Sequence, residues 1–327
     1  MSVAEIVTAA VEPANKLIEV VSGAIGTAYE PRHLRKMADA KAYEIKVIGE
    51  QLRNNSDLPI VYDSTGNYSI DISDYESLAK RTGKRLAFQE IEKQENIEAI
   101  VDNAYEAVKG IESCAEGDIS REWMHRFIDA AGDISTEEMQ KIWSKVLAGE
   151  VLDPTSFSLR TLECLRNMDV SDARLFASLC KLVVNNMVIS DDDFLVKHGI
   201  SYDNILKLDE GGLINSSGTI SRNVEIGNEP HIVIDFDEYI FVGSADKNIK
   251  VTIGMFPLTT AGRELSKLVG EEMQFDTVKE ICNITQKQNP HVRFSLYKIN
   301  YRNGNQINYS QNAIEFTNDL QEASSKN

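Results

Sequence analysis

The run Ile205-Leu206-Lys207-Leu208-Asp209-Glu210-Gly211-Gly212-Leu213-Ile214 decides how the C-terminal half is read. Its apolar residues keep helical spacing as far as two glycines, which stop the helix, and Leu213-Ile214 then leave as a strand. Extended segments follow at 220–226, 231–236, 239–242 and 249–253. Next comes Phe256-Pro257-Leu258-Thr259-Thr260-Ala261-Gly262-Arg263-Glu264-Leu265, in which Thr259 or Thr260 opens another helix. A helix near 277–288 precedes a hairpin, with Val292, Phe294, Leu296 and Lys298 before the 301–306 turn and Ile307 and Tyr309 after it.

Upstream, Ser190-Asp191-Asp192-Asp193 precedes Phe194-Leu195-Val196. Clustered carboxylates suit hard cations. No spaced ligands accompany these, so they are read as acids at the positive end of a helix. Helix, helix ending in Gly-Leu-Ile, hairpin and Leu-Thr-x-x-Gly-x-x-Leu together resemble a winged-helix fold with a long wing. Many such folds place their second helix in the major groove. Here that helix, 201–210, offers only Lys207 against Asp203, Asp209 and Glu210, so the module is read as protein-binding or structural and nucleic acid is disfavoured as a partner.

The middle of the chain is helical. A long helix is expected over about 73–114, with Ile97, Ile100, Val101, Ala104, Val108 and Ile111 in period. Ser120 caps the helix of Trp123 and Phe127. Ser135 with Glu138 has capping-box spacing before the stripe Met139, Ile142, Trp143, Val146 and Leu147, and Ser171 caps a later helix.

Residues 3–25 form an amphipathic stripe, with Val3, Ile6, Val7, Ala10, Leu17, Ile18, Val21 and Ile25 at steps of three and four and a possible kink at Pro13. Ser22, Gly23, Ala24, Gly26, Thr27 and Ala28 are small enough to let helices approach closely. A helix over 2–28 would be about 40 Å long. Arg32, Arg35, Lys36 and Lys41 follow as candidate contacts to anionic lipid. The bland reading is a helix packed on its own protein at rest, and release later is compatible with it. Through residue 53 the bases (Lys16, Arg32, Arg35, Lys36, Lys41, Lys46, Arg53) balance the acids (Glu5, Glu12, Glu19, Glu30, Asp39, Glu44, Glu50), so the net charge of −17 arises after residue 53.

The chain has 327 residues, 42% hydrophobic and 26% charged, as in a globular protein of more than one domain. Its acidity argues against a general nucleic-acid binder. Cys114, Cys164, Cys180 and Cys282 lie far apart, which points to buried free thiols and a reducing, cytosolic setting. No signal peptide and no transmembrane stretch are expected. Histidines His33, His125, His198, His231 and His291 are scattered, no nucleophile elbow or phosphate loop occurs, and Asp235 with Asp237 is read as a pair of exposed strand acids. No catalytic residue, cofactor or metal is assigned.

One block is specific. Ile142-Trp143-Ser144-Lys145-Val146-Leu147-Ala148-Gly149-Glu150, followed by Pro154-Thr155-Ser156-Phe157-Ser158-Leu159-Arg160-Thr161-Leu162, resembles the centre of a bacterial family, domain of unknown function 2806. That family is similar to the abortive-infection alpha proteins of phage defence. The runs 24–31 and 258–265 share the resemblance, which extends to about residue 270. It implies a cytosolic defence protein, and no active-site residues come with it. The expectation is a mainly α protein: N-terminal helices over 1–55, a helical bundle over 56–188 and a winged-helix-like α+β domain over 189–327. It would sense a phage protein, self-associate and move from cytoplasm to inner membrane, which its N-terminal helices disrupt. A winged-helix DNA-binding regulator and an unrecognised nuclease or hydrolase toxin are the alternatives.

Overall fold

The computed structural model describes residues 12–26, 29, 31, 60–62, 68–70, 78–216, 220–270, 273–304 and 306–316. Contacts divide the chain into two units, Met1–Leu162 and Glu163–Asn327.

The first unit contains α1 (Glu12–Ile25), the antiparallel hairpin β1 (Ile60–Tyr62) and β2 (Tyr68–Ile70), then α2 (Leu78–Val108), α3 (Arg121–Ala131) and α4 (Glu137–Leu152). Helix α5 (Leu159–Arg166) contains the boundary between the units. The predicted period of α2 holds: Ile100, Val101, Ala104 and Val108 are fully buried, and α2 packs along α4. Helix α3 begins where expected, with Ser120 Oγ accepting from Trp123 N. The expected capping box of α4 is not formed. Thr136 is the N-cap, without a side-chain cap, and Gln140 reaches back to the Ile134 carbonyl at 2.9 Å. Trp123 stacks on Phe127, and Phe127 meets Trp143 at a tilt of 60°, with ring centroids 5.2 Å apart at each step, so the three rings fill the space between α3 and α4.

The second unit runs α6 (Val170–Cys180), β3 (Met187–Ile189), α7 (Asp192–Lys197), α8 (Tyr202–Glu210), β4 (Ile220–Ile226), β5 (His231–Asp235), β6 (Tyr239–Ser244), β7 (Ile249–Pro257), α9 (Thr260–Ser266), α10 (Phe275–Gln288), β8 (Arg293–Asn303) and β9 (Gln306–Tyr309). Asp169, not Ser171, caps α6, in a capping box with Asp172. The strands form two antiparallel sheets, β3-β7-β4 and β5-β6-β8-β9.

This corrects the expected fold class: the chain is α+β, not mainly α. Apart from β3, the strands of this unit were legible as extended segments. Their assembly was not, because β5 and β6 leave the β4–β7 hairpin and join β8 and β9 in a separate sheet, with Tyr239 opposite Lys298. The buried positions of β5, β6 and the start of β8 need a core of their own. Phe241, Phe294 and Leu296 supply it with Val278, Ile281 and Cys282 of α10. Phe241 stacks on Phe294 at 4.8 Å and meets Phe316 edge-on at 5.2 Å.

One glycine is a packing requirement here. A Cβ at Gly262 would stand 2.0 Å from the Leu213 carbonyl oxygen, so only glycine lets α9 close on the strand-like segment after α8. Thr259 caps α9 through Gly262 N and donates its hydroxyl hydrogen to the Gly212 carbonyl.

Candidate functional site

Helix α1 carries the described part of the predicted membrane and oligomer stripe. Leu17 and Val21, with Ala14, are completely buried, whereas Ile18 and Ile25 are half-buried. The 3–4 spacing of these residues therefore serves an internal seat formed by α2, α3 and α4. Glu19 and Gly23 face solvent, and Lys16 Nζ lies 4.0 Å from Cys114 Sγ. Val3, Ile6, Val7 and Ala10 lie outside the described residues, as do Arg32, Arg35, Lys36 and Lys41. Pro13 falls in the first turn of the described helix.

The end of α1 is fastened. Gly26 N donates to the Ser22 carbonyl, and Gly26 adopts φ +74°, the left-handed C-cap for which glycine is suited. Ser22 Oγ accepts from Tyr29 N at 2.8 Å, and the buried Tyr29 hydroxyl donates to Asp102 Oδ1 on α2 at 2.5 Å. Within the chain itself, a Cβ at Gly23 or Gly26 would meet nothing within 4 Å. Sequence reading missed the Tyr29–Asp102 contact, since 73 residues separate the partners.

The block 142–162 proves to be a clamp. Glu150 is 2% exposed, and its carboxylate accepts from Thr155 N at 2.8 Å and Phe157 N at 3.0 Å. Phe157 covers Gly149, where a Cβ would stand 2.7 Å from the ring, and its carbonyl accepts from Trp123 Nε1 at 2.7 Å. Thr155 takes φ +74° in the resulting turn. The missed signal was an acid at 150 on the stripe of Trp143 and Leu147, just before Asp-Pro-Thr-Ser. Both oxygens of Glu150 hold backbone, so its evident task is to shape the turn.

In the second unit, Asp191 caps α7 through Phe194 N at 3.0 Å, the arrangement expected of the aspartate run. Among the described residues, no group of three His, Cys, Asp or Glu side chains could hold a metal. Asp235 is not a simple exposed acid. It receives two hydrogen bonds from Arg302, at 2.9 and 2.7 Å, and the same guanidinium holds the Asp237 carbonyl. Arg302 keeps the Asp235 carboxyl below its ordinary range. Burial pushes Cys164 up to about 11 and Cys180 up to about 12, and raises Cys282 as well, so these thiols are poor nucleophiles.

Helix α8 presents Tyr202, Asp203, Leu206, Lys207 and Glu210 outward. Lys207 is engaged at home, with Asp172 at 2.5 Å and the Ser171 hydroxyl at 3.0 Å. The one base of the helix is thereby tied to α6, which weakens a DNA-reading role further.

Residues 80–198 match the family model of a protein of unknown function, DUF2806. The match runs from α2 to the end of α7 and includes the Glu150 clamp. It stops before α8 and leaves out the runs 24–31 and 258–265. No curated protein and no solved structure matches the chain. None of these comparisons connects the DUF2806-like segment with abortive-infection proteins. No helix among the described residues is long and apolar enough to cross a membrane.

Proposed function

We propose that the chain is a phage-defence protein that acts by assembly, with α1 as an effector element stored in a seat and released by a phage protein. Released helices would self-associate at the anionic inner membrane and permeabilise it. The observation that carries this reading is the seating of α1: an amphipathic helix with its apolar stripe covered by α2, α3 and α4, held at one end by Ser22, Tyr29 and Asp102. A stored stripe explains how such a helix rests in water. The described 14 residues span about 21 Å, short of a bilayer core of about 30 Å. Crossing therefore requires residues 2–11 to continue the helix, and neighbouring copies to turn Glu5, Glu12, Lys16 and Glu19 toward a wet lumen. The defence setting rests on the resemblance of the 142–162 block. In the second unit, α6 to α8 with the β3-β7-β4 sheet would serve as the winged-helix-like sensor of the phage protein.

Phage plating on bacteria expressing the intact chain, or a chain lacking residues 2–28 at matched level, tests this. Protection lost on truncation is the expected result. Protection kept by the truncated chain overturns the effector role of α1.

A further inference from the structure

The outer face of α8 is left uncovered by the described residues of its own unit. Tyr202 is 69% exposed and Leu206 38%, one turn apart on the same side, while Ile205 and Leu208 fill the core. Asp203 and Glu210 lie together along one side of the pair and are exposed. The Ser201–Asn204 capping box fixes the turn that carries Tyr202. Because Lys207 is held by Asp172, the face offers two apolar contacts beside the exposed carboxylates of Asp203 and Glu210. Such a face fits a segment in which bases and apolar residues alternate. The chain has one: Arg32, Arg35, Lys36, Lys41, Lys46 and Arg53 outnumber Asp39, Glu44 and Glu50 and are interleaved with Leu34, Ala38, Ile45, Ile48 and Leu52. The remainder of the chain is strongly acidic, so this segment is its electrostatic complement.

We propose that the Tyr202–Leu206 face of α8 binds the basic segment 32–53 of a second copy and joins copies head to tail. Such a contact is heterologous and closes into a ring or grows as a filament. The proposal deepens the self-association step and rests on that reading, yet it requires no membrane. Its failure is therefore distinct from a failure to permeabilise.

The test has two arms, both on the full chain. A labelled peptide of residues 30–53 is titrated and followed by fluorescence anisotropy, and sedimentation velocity is run across concentration. Binding that weakens with salt, and species larger than a monomer, are expected. Tyr202→Ala with Leu206→Ala, or Asp203→Lys with Glu210→Lys, should weaken peptide binding by about tenfold or more and return the chain to monomer. Arg35→Glu with Lys36→Glu in the charge-reversed chain should restore association. The four α8 positions are exposed, and unchanged circular dichroism of every variant confirms folding. Equal peptide affinity in all variants, or a monomer at every concentration, overturns the proposal.

Discussion

Between Ile142 and Leu162 the distinctive side chains turn inward, whereas between Ser201 and Glu210 they face solvent. In the first stretch Trp143 is buried in an aromatic cluster, Gly149 makes room for Phe157, and Glu150 spends both oxygens on the backbone of the next turn. In the second, Tyr202 and Leu206 stand out with Asp203 and Glu210 around them. The DUF2806 match includes the first stretch and ends before the second. A motif that identifies a family can thus be the part that holds the shape. The exposed Tyr202 and Leu206 lie outside the matched residues.

This contrast can be broken by mutation. Glu150→Ala leaves the buried Phe157 N–H and the part-buried Thr155 N–H without their acceptor and should cost about 2–3 kcal/mol, with Glu150→Gln retaining part of it. Both tryptophans, Trp123 and Trp143, lie in this unit, so their fluorescence during urea unfolding reports the loss. A loss below about 0.5 kcal/mol would show that the clamp is not what holds the turn. Gly149→Ala forces the Phe157 ring aside and should cost about 1–3 kcal/mol in the same assay. Arg302→Met sharpens the contrast with a solvent-screened pair. The Asp235 carboxyl is depressed in the folded chain, so its stabilisation is present above its unfolded value of about 3.9 and lost as pH falls through the folded one. The difference between wild type and variant should be about 1 kcal/mol or less near neutrality and should shrink in acid. The double substitution Tyr202→Ala, Leu206→Ala is expected to change stability least, by about 0.5 kcal/mol at most, while abolishing self-association.

Much of the helical content was legible because period and caps are local. Ser120 caps the helix it was expected to cap, and the caps Asp191 and Thr259 come from the short runs read as helix starts, Ser190–Asp193 and Thr259–Thr260. Where two candidate caps stood close together, local chemistry could not choose: α4 starts after Thr136 rather than Ser135, and α6 after Asp169 rather than Ser171. The fold class was misjudged because the β5-β6-β8-β9 sheet depends on pairings such as Val242 with Ser295, which no local pattern reveals. In the candidate site the stripe of α1 was legible as amphipathic. Its seat and the Tyr29–Asp102 contact were not, since both depend on residues of α2 far along the chain.

The storage of α1 is tested most directly by dye release from vesicles rich in phosphatidylglycerol. Tyr29→Phe removes the hydroxyl that reaches Asp102 and should loosen the seat by about 1.5 kcal/mol or more. A short amine–thiol cross-linker between Lys16 and Cys114 should pin the helix, with Cys114→Ser as the control. Release that rises in the Tyr29→Phe chain and falls to background when α1 is pinned is the expected result. Equal release from loosened and pinned chains, or none from either, would contradict the stored-effector account.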